Sequence, residues 1–178
     1  MNLSSLISRL EKLDNVFTIL QITSTKIRIQ TMNTVFDVAK YILSKQGVIT
    51  AMKLEKLVYY AQAWALVWDE EPLFNEKIEA WANGPVVPEL YKKHKGLFKV
   101  SIKDIPGKIS NLSKNKKDTI DKVLNGYGRF SAQQLIDLTH MESPWINARA
   151  NIPAGASCQN EITLDSMAEY YSSKLAKN

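Results

Sequence analysis

The 178 residues carry 23 basic and 18 acidic side chains, a formal charge of +5, with 45% apolar and 23% charged positions. That balance belongs to a globular chain with one main core; it excludes a disordered or fibrous protein and leaves too little length for two full-sized domains. No apolar run reaches the roughly 20 residues a spanning helix needs, and acidic and polar residues interrupt the first segment where a signal peptide is unbroken, so a cytoplasmic protein is expected. The lone Cys158 cannot form an internal disulfide, which fits a reducing compartment.

Leu3, Leu6, Ile7, Leu10, Leu13 and Phe17 recur at helical spacing and predict an amphipathic N-terminal helix. From Leu20 to Thr31 the pattern shifts toward alternation, predicting extended segments or a hairpin, with a boundary near Met32. Asn33 or Thr34 caps a helix over Val35, Val38, Ala39, Ile42 and Leu43, and Gly47 stops it. Thr50 opens a second helix over residues 51–68. It is apolar on both sides (Leu54, Leu57, Val58, Ala61, Trp64, Ala65 and Trp68 on one, Tyr60, Ala63 and Val67 on the other) and so belongs at the centre of the core.

Asp69 to Pro72 ends that helix, and Lys77 to Trp81 alternates as a short strand does. Asn83-Gly84-Pro85 reads as a turn, and Pro88 suits the first turn of a helix over Glu89, Leu90, Tyr91 and His94 that stops at Gly96. Residues 97–117 are lysine-rich and contain Pro106-Gly107, predicting a loop with at most a short strand over Phe98 to Ile102. Ile120, Val123, Leu124 and Tyr127 share a helical face. Ser131 caps another helix, Ser143-Pro144 starts a third at Trp145, and Thr163 or Asp165 leads into the last, over Met167, Tyr170, Tyr171 and Leu175. The fold class expected is mainly α with a small β element.

Little here points to chemistry. Cys158, His94 and His140 are the candidate reactive groups, but no strained nucleophile elbow or phosphate-cradling glycine loop accompanies them. His140 and Glu142 lie two apart, on opposite sides of a helix, and cannot share a metal. No catalytic residue, metal or cofactor is expected. Lys92 to Lys122 holds ten lysines against three acids and no arginine. Such a stretch sets up a positive field and allows weak contact with nucleic acid or another acidic partner, without the planar fork that reads bases.

The segment from Ile78 to Tyr91 combines Trp81, Asn83-Gly84-Pro85-Val86-Val87-Pro88 and Tyr91 into a tight strand-to-helix corner. It follows Lys53-Leu54-Glu55-Lys56-Leu57-Val58-Tyr59-Tyr60-Ala61-Gln62-Ala63-Trp64 and then Pro72-Leu73-Phe74. In order and spacing these residues resemble the Panacea antitoxin domain, also called SocA-like or phage-associated GepA-like. The likeness runs from Asn33 to the C-terminus and is sharpest from Lys53 to Gly96.

The resemblance implies a compact, mainly helical, non-enzymatic domain, encoded beside diverse toxins, that neutralises a cognate protein toxin by direct contact. Structural roles are expected for Lys53, Leu54, Tyr59, Tyr60, Trp64 and Gly84; the candidate partner contacts are Trp68, Trp81, Asn83, Pro85, Pro88, Tyr91 and Phe98, with Trp145 a further aromatic that serves either as core or as anchor. Residues 32–178 form the expected domain; residues 1–31 are an accessory segment or a leader. A DNA-binding repressor, acting on its own operon, is the alternative.

Overall fold

A computed structural model describes residues 33–153 and 155–176, which belong to one unit, Asn33–Asn178. The helix expected over residues 3–17 and the extended segments over 20–31 lie outside the described residues. The elements in chain order are α1 (Val35–Gln46), β1 (Ile49–Thr50), α2 (Ala51–Trp68), β2 (Glu79–Trp81), β3 (Gly84–Val86), α3 (Pro88–His94), β4 (Lys99–Val100), a 3-10 turn (Ile109–Asn111), α4 (Lys114–Tyr127), α5 (Ala132–His140), α6 (Ser143–Arg149) and α7 (Leu164–Leu175). The fold is mainly α, with two small two-stranded sheets among the described residues.

Local chemistry sets most helix ends. Thr50, Ser113, Ser131 and Thr163 each cap a helix, their hydroxyls accepting from the backbone N–H three residues on, and Thr34 forms a capping box with Asp37. Gly47 ends α1 at φ +70°, a conformation glycine adopts without strain. Glu142, not Ser143, occupies the cap position of α6, and Pro144 then sits in its first turn, where its missing N–H breaks no intrahelical bond.

The centre of the fold is α2, buried without a break from Leu54 to Ala65 and packed against α1, α4, α5 and α7. Tyr59 and Tyr60 are fully buried. Tyr60 stacks on Tyr127 at 4.0 Å, and Tyr171 meets Tyr59, Tyr60 and Trp64 edge to face at 5.2 to 6.3 Å. Trp64 Nε1 donates to the Tyr127 hydroxyl at 3.1 Å, so the indole enters the core with its polar atom satisfied. Beside this aromatic layer Glu142 is buried, accepting from the Tyr171 hydroxyl at 2.6 Å. Burial pushes its carboxyl up from the ordinary range, partly offset by Tyr171 and Lys174.

Three polar residues inside α2 have a different task. Gln62 donates to the Phe74 carbonyl at 2.9 Å and accepts from the Leu73 and Phe74 N–H groups at 2.8 and 3.3 Å, satisfying the irregular chain that follows Pro72. Glu55 and Lys56 do the same for the corner beyond β3. Around Asp37, the N–H of Lys108, the N–H of Thr34 and the Asn111 amide converge. Burial raises the Asp37 carboxyl, but these hydrogen bonds outweigh it and hold it below the ordinary carboxylate range. They dock the Pro106-Gly107 turn on α1 so closely that a Cβ on Gly107 would lie 2.7 Å from the Phe36 backbone.

Candidate partner-binding groove

The strand expected up to Trp81 is followed by a turn, but the turn is confined to Ala82 and Asn83. Gly84-Pro85-Val86 is itself a strand, paired antiparallel with Glu79–Trp81 in the register Glu79 to Val86, Ala80 to Pro85 and Trp81 to Gly84. The strand predicted from Lys77 begins only at Glu79. On its other edge β2 meets the segment 160–162: Ala80 N–H donates to the Asn160 carbonyl at 2.9 Å, and Ile162 N–H to the Ile78 carbonyl at 2.8 Å. Proline is tolerated in β3 because that strand lies at a sheet edge, where a missing N–H breaks no ladder.

The corner is held from below by α2 and from behind by α6. Glu55 accepts from Val87 N–H at 2.9 Å and lies 2.7 Å from His94 Nε2, all three groups buried, which fixes both the entry and the end of α3. Lys56, fully buried, donates to the Pro85 carbonyl at 2.8 Å. Burial lowers its ammonium to about 8, against the partial support of the neighbouring Glu55 charge. Gly84 sits at φ +93°, and a Cβ there would lie 2.6 Å from Lys56 Cε and 2.8 Å from Thr139 Oγ1. Glycine is therefore needed twice, for conformation and for space.

Behind the hairpin, Trp145 Nε1 donates to the Trp81 carbonyl at 3.0 Å. Buried Arg149 donates to the carbonyls of Ala80, Pro153 and Ala156 at 2.9, 2.8 and 2.9 Å while its guanidinium lies over the Trp145 ring. His140 stacks on the same indole at 4.0 Å, and burial, with the Lys56 charge nearby, lowers its pKa. Trp145 thus belongs to the support of the hairpin.

These elements enclose a groove of about 570 Å³, within the ~300–1,000 Å³ typical of binding pockets. Its floor is Glu55 and Lys56, and its walls are Trp81, Asn83, Val86, Tyr91, His94 and, from α5, Ala132, Gln133 and Ile136. The β1–β4 ladder adds the outer lip: Ala51 N–H donates to the Phe98 carbonyl at 3.1 Å, bringing Met52, Leu97 and Phe98 to the mouth. Phe98 is 79% exposed, a costly position for a phenylalanine.

Of the residues singled out as partner contacts, the groove gathers Trp81, Asn83, Tyr91 and Phe98. Pro85 is buried in β3, and Pro88 is half-buried at the start of α3. Trp68 lies elsewhere, stacked on Trp64 at 4.7 Å with Lys122 over its ring. Lys53, Leu54, Tyr59, Tyr60, Trp64 and Gly84 all take part in packing or anchoring, Lys53 by donating to the Gly128 carbonyl at 2.7 Å. Sequence reasoning missed Glu55, Lys56, Arg149 and Ile136. Charged residues in the middle of an otherwise apolar helix were the signal for the first two.

Among the described residues no three His, Cys, Asp or Glu side chains are placed to hold a metal, and no helix is long and apolar enough to cross a membrane. Cys158 is buried in the loop before α7.

Residues 54–146 match the family described as Antitoxin SocA-like, Panacea domain. The chain is also 32% identical over 109 residues to the antitoxin SocA of Caulobacter vibrioides (strain NA1000 / CB15N), an alignment spanning 54% of this chain and 58% of that relative's length. No solved structure matches it. The matched family segment begins in α2 and ends in α6, so it contains the hairpin, the corner and every wall of the groove except the α2 entry at Thr50 to Met52. Covering more than half of the sequence, that match makes this chain a member of the SocA-like antitoxin family with a Panacea domain.

Proposed function

We propose that this chain is the antitoxin of a toxin–antitoxin pair, neutralising a cognate protein toxin by direct stoichiometric contact, and that the groove between α2, the β2–β3 hairpin, α3 and α5 is where the toxin docks. The observation that carries the reading is the exposed Phe98 at the lip of a preformed apolar concavity, on a member of an antitoxin family. An inhibitor of this kind needs tight binding and no bond-making step: nanomolar affinity corresponds to about −12 kcal/mol, usually reached by burying about 1,600 Å² with a few aromatic anchors in desolvated pockets. Trp81, Tyr91 and Phe98 supply such anchors. The walls are pinned by buried hydrogen bonds at Glu55, Lys56 and Arg149, so little ordering remains to oppose association.

The test is co-expression with the product of the adjacent gene. Wild-type chain relieves the growth arrest and co-purifies with that product at one-to-one stoichiometry, whereas failure to bind it removes the reading.

A further inference from the structure

The groove carries an electrostatic signature that names the chemistry of its occupant. Among the described residues Glu55 is the sole acid in the lining, and its two oxygens are already committed to Val87 N–H and His94. Among the described residues Lys56 in the floor makes one hydrogen bond, to a carbonyl, and no carboxylate lies within ion-pair distance of it. Lys92, Lys95 and Lys99 are chain neighbours of the lining residues Tyr91, His94, Gly96 and Phe98, are exposed, and form no salt bridge among the described residues. The Asn83 amide and the Tyr91 hydroxyl in the walls likewise have no hydrogen-bond partner among the described residues. The groove is therefore mostly apolar inside, supplied with uncommitted polar groups, and bordered along the chain by exposed lysines.

Building on the antitoxin reading, we propose that the groove takes a large apolar side chain presented by an acidic segment of the protein partner, the flanking carboxylates meeting the Lys92, Lys95 and Lys99 rim. A second copy of this chain fits poorly, because it brings a net charge of +5 to a positive rim. Rim charges act mainly on encounter and register, while the buried apolar side chain supplies the slow dissociation. Both parts are thus required for a tight, selective complex.

The probe is a fluorescein-labelled dodecapeptide with a central Phe-Leu flanked on both sides by Asp and Glu, titrated with the full chain and followed by anisotropy. Controls replace its acids by Lys or its Phe-Leu by Ala-Ala. The acidic Phe-Leu peptide binds at least about tenfold tighter than either control, and about tenfold weaker when salt is raised from about 50 to about 300 mM. The exposed Phe98→Asp and the triple variant Lys92→Glu, Lys95→Glu, Lys99→Glu each weaken it about tenfold, with unchanged melting temperature because neither touches the core. Ile136→Trp, which fills the groove, does the same, and the surface variants remain decisive if it fails to fold.

Equal binding of the lysine peptide, binding insensitive to Phe98→Asp, or no saturation by the acidic peptide overturns the proposal. So does concentration-dependent self-association that Phe98→Asp abolishes, since it puts a second copy in the groove. The two readings fail separately: wild-type chain that neutralises the adjacent gene's product while the triple variant neutralises it equally well sinks the acidic occupant alone. Wild-type chain that neither binds nor neutralises that product sinks the antitoxin reading whatever the peptide does.

Discussion

Lys56 makes the stability of this fold depend on alkaline pH in a direction opposite to that of the surrounding tyrosines. Its side chain is fully buried and its folded pKa is lowered to about 8 from 10.5, with desolvation as the main cause. Between those values the unfolded chain holds a proton that the folded chain has released, so stability rises with pH across the interval. Integrating from about pH 7.5 to about 9.5 gives a gain of about 2 kcal/mol from this one group. Tyr59, Tyr60 and Tyr171 act the other way, but later. Burial raises all three, so they stay protonated in the fold while the unfolded chain ionises near pH 10, and stability falls only beyond that point.

The assay is urea unfolding of wild type and Lys56→Met at intervals across that window. Methionine keeps the length of the stem but removes the ammonium and its hydrogen bond to Pro85, so absolute stabilities differ for several reasons and the slope is the decisive quantity. Wild type gains about 2 kcal/mol relative to the variant between the two ends of the scan. Parallel pH profiles would refute the reasoning, showing that Lys56 is solvated or paired in solution and that the corner is not closed over it.

Gly84→Val combines a positive φ with contacts to Lys56 and Thr139 that leave no room for a side chain, and is expected to cost roughly 2 to 5 kcal/mol, with melting temperature and partner binding falling together. A variant that keeps its melting temperature but loses its partner would make the corner a contact surface in its own right. Trp64→Ala removes a ring packed on Trp68 and Tyr171 and should destabilise by about 3 to 5 kcal/mol in chemical denaturation. Unchanged stability would place that ring on the surface. Arg149→Met strips the donors from three carbonyls and should cost about 2 to 4 kcal/mol, with amide exchange accelerated in β2 and in residues 155–162 first. Uniform acceleration across α2 as well would mean that the hairpin does not open independently.

Local chemistry made the helices legible in the sequence. Thr50 and Ser131 cap the residues that follow them, Gly47 permits the left-handed stop, and the apolar residues of 51–68 surround the whole helix, so that its central burial follows from composition alone. The family motif was legible for the same reason: its glycine and prolines impose backbone angles within a few residues. Tertiary structure alone decided what the polar residues of that helix do. Glu55, Lys56 and Gln62 are buried because carbonyls and N–H groups from residues 11 to 39 positions away need partners there, and nothing local announces them. It likewise turned Gly84-Pro85-Val86 into a strand against the poor β-propensity of proline, and brought Phe98 to the lip of the groove through pairing of β4 with β1, the chain between those strands acting in that contact only as a closed loop. Periodicity and capping act between neighbours in the chain and can be read from it; the groove is made of surfaces that meet only when distant buried groups satisfy one another.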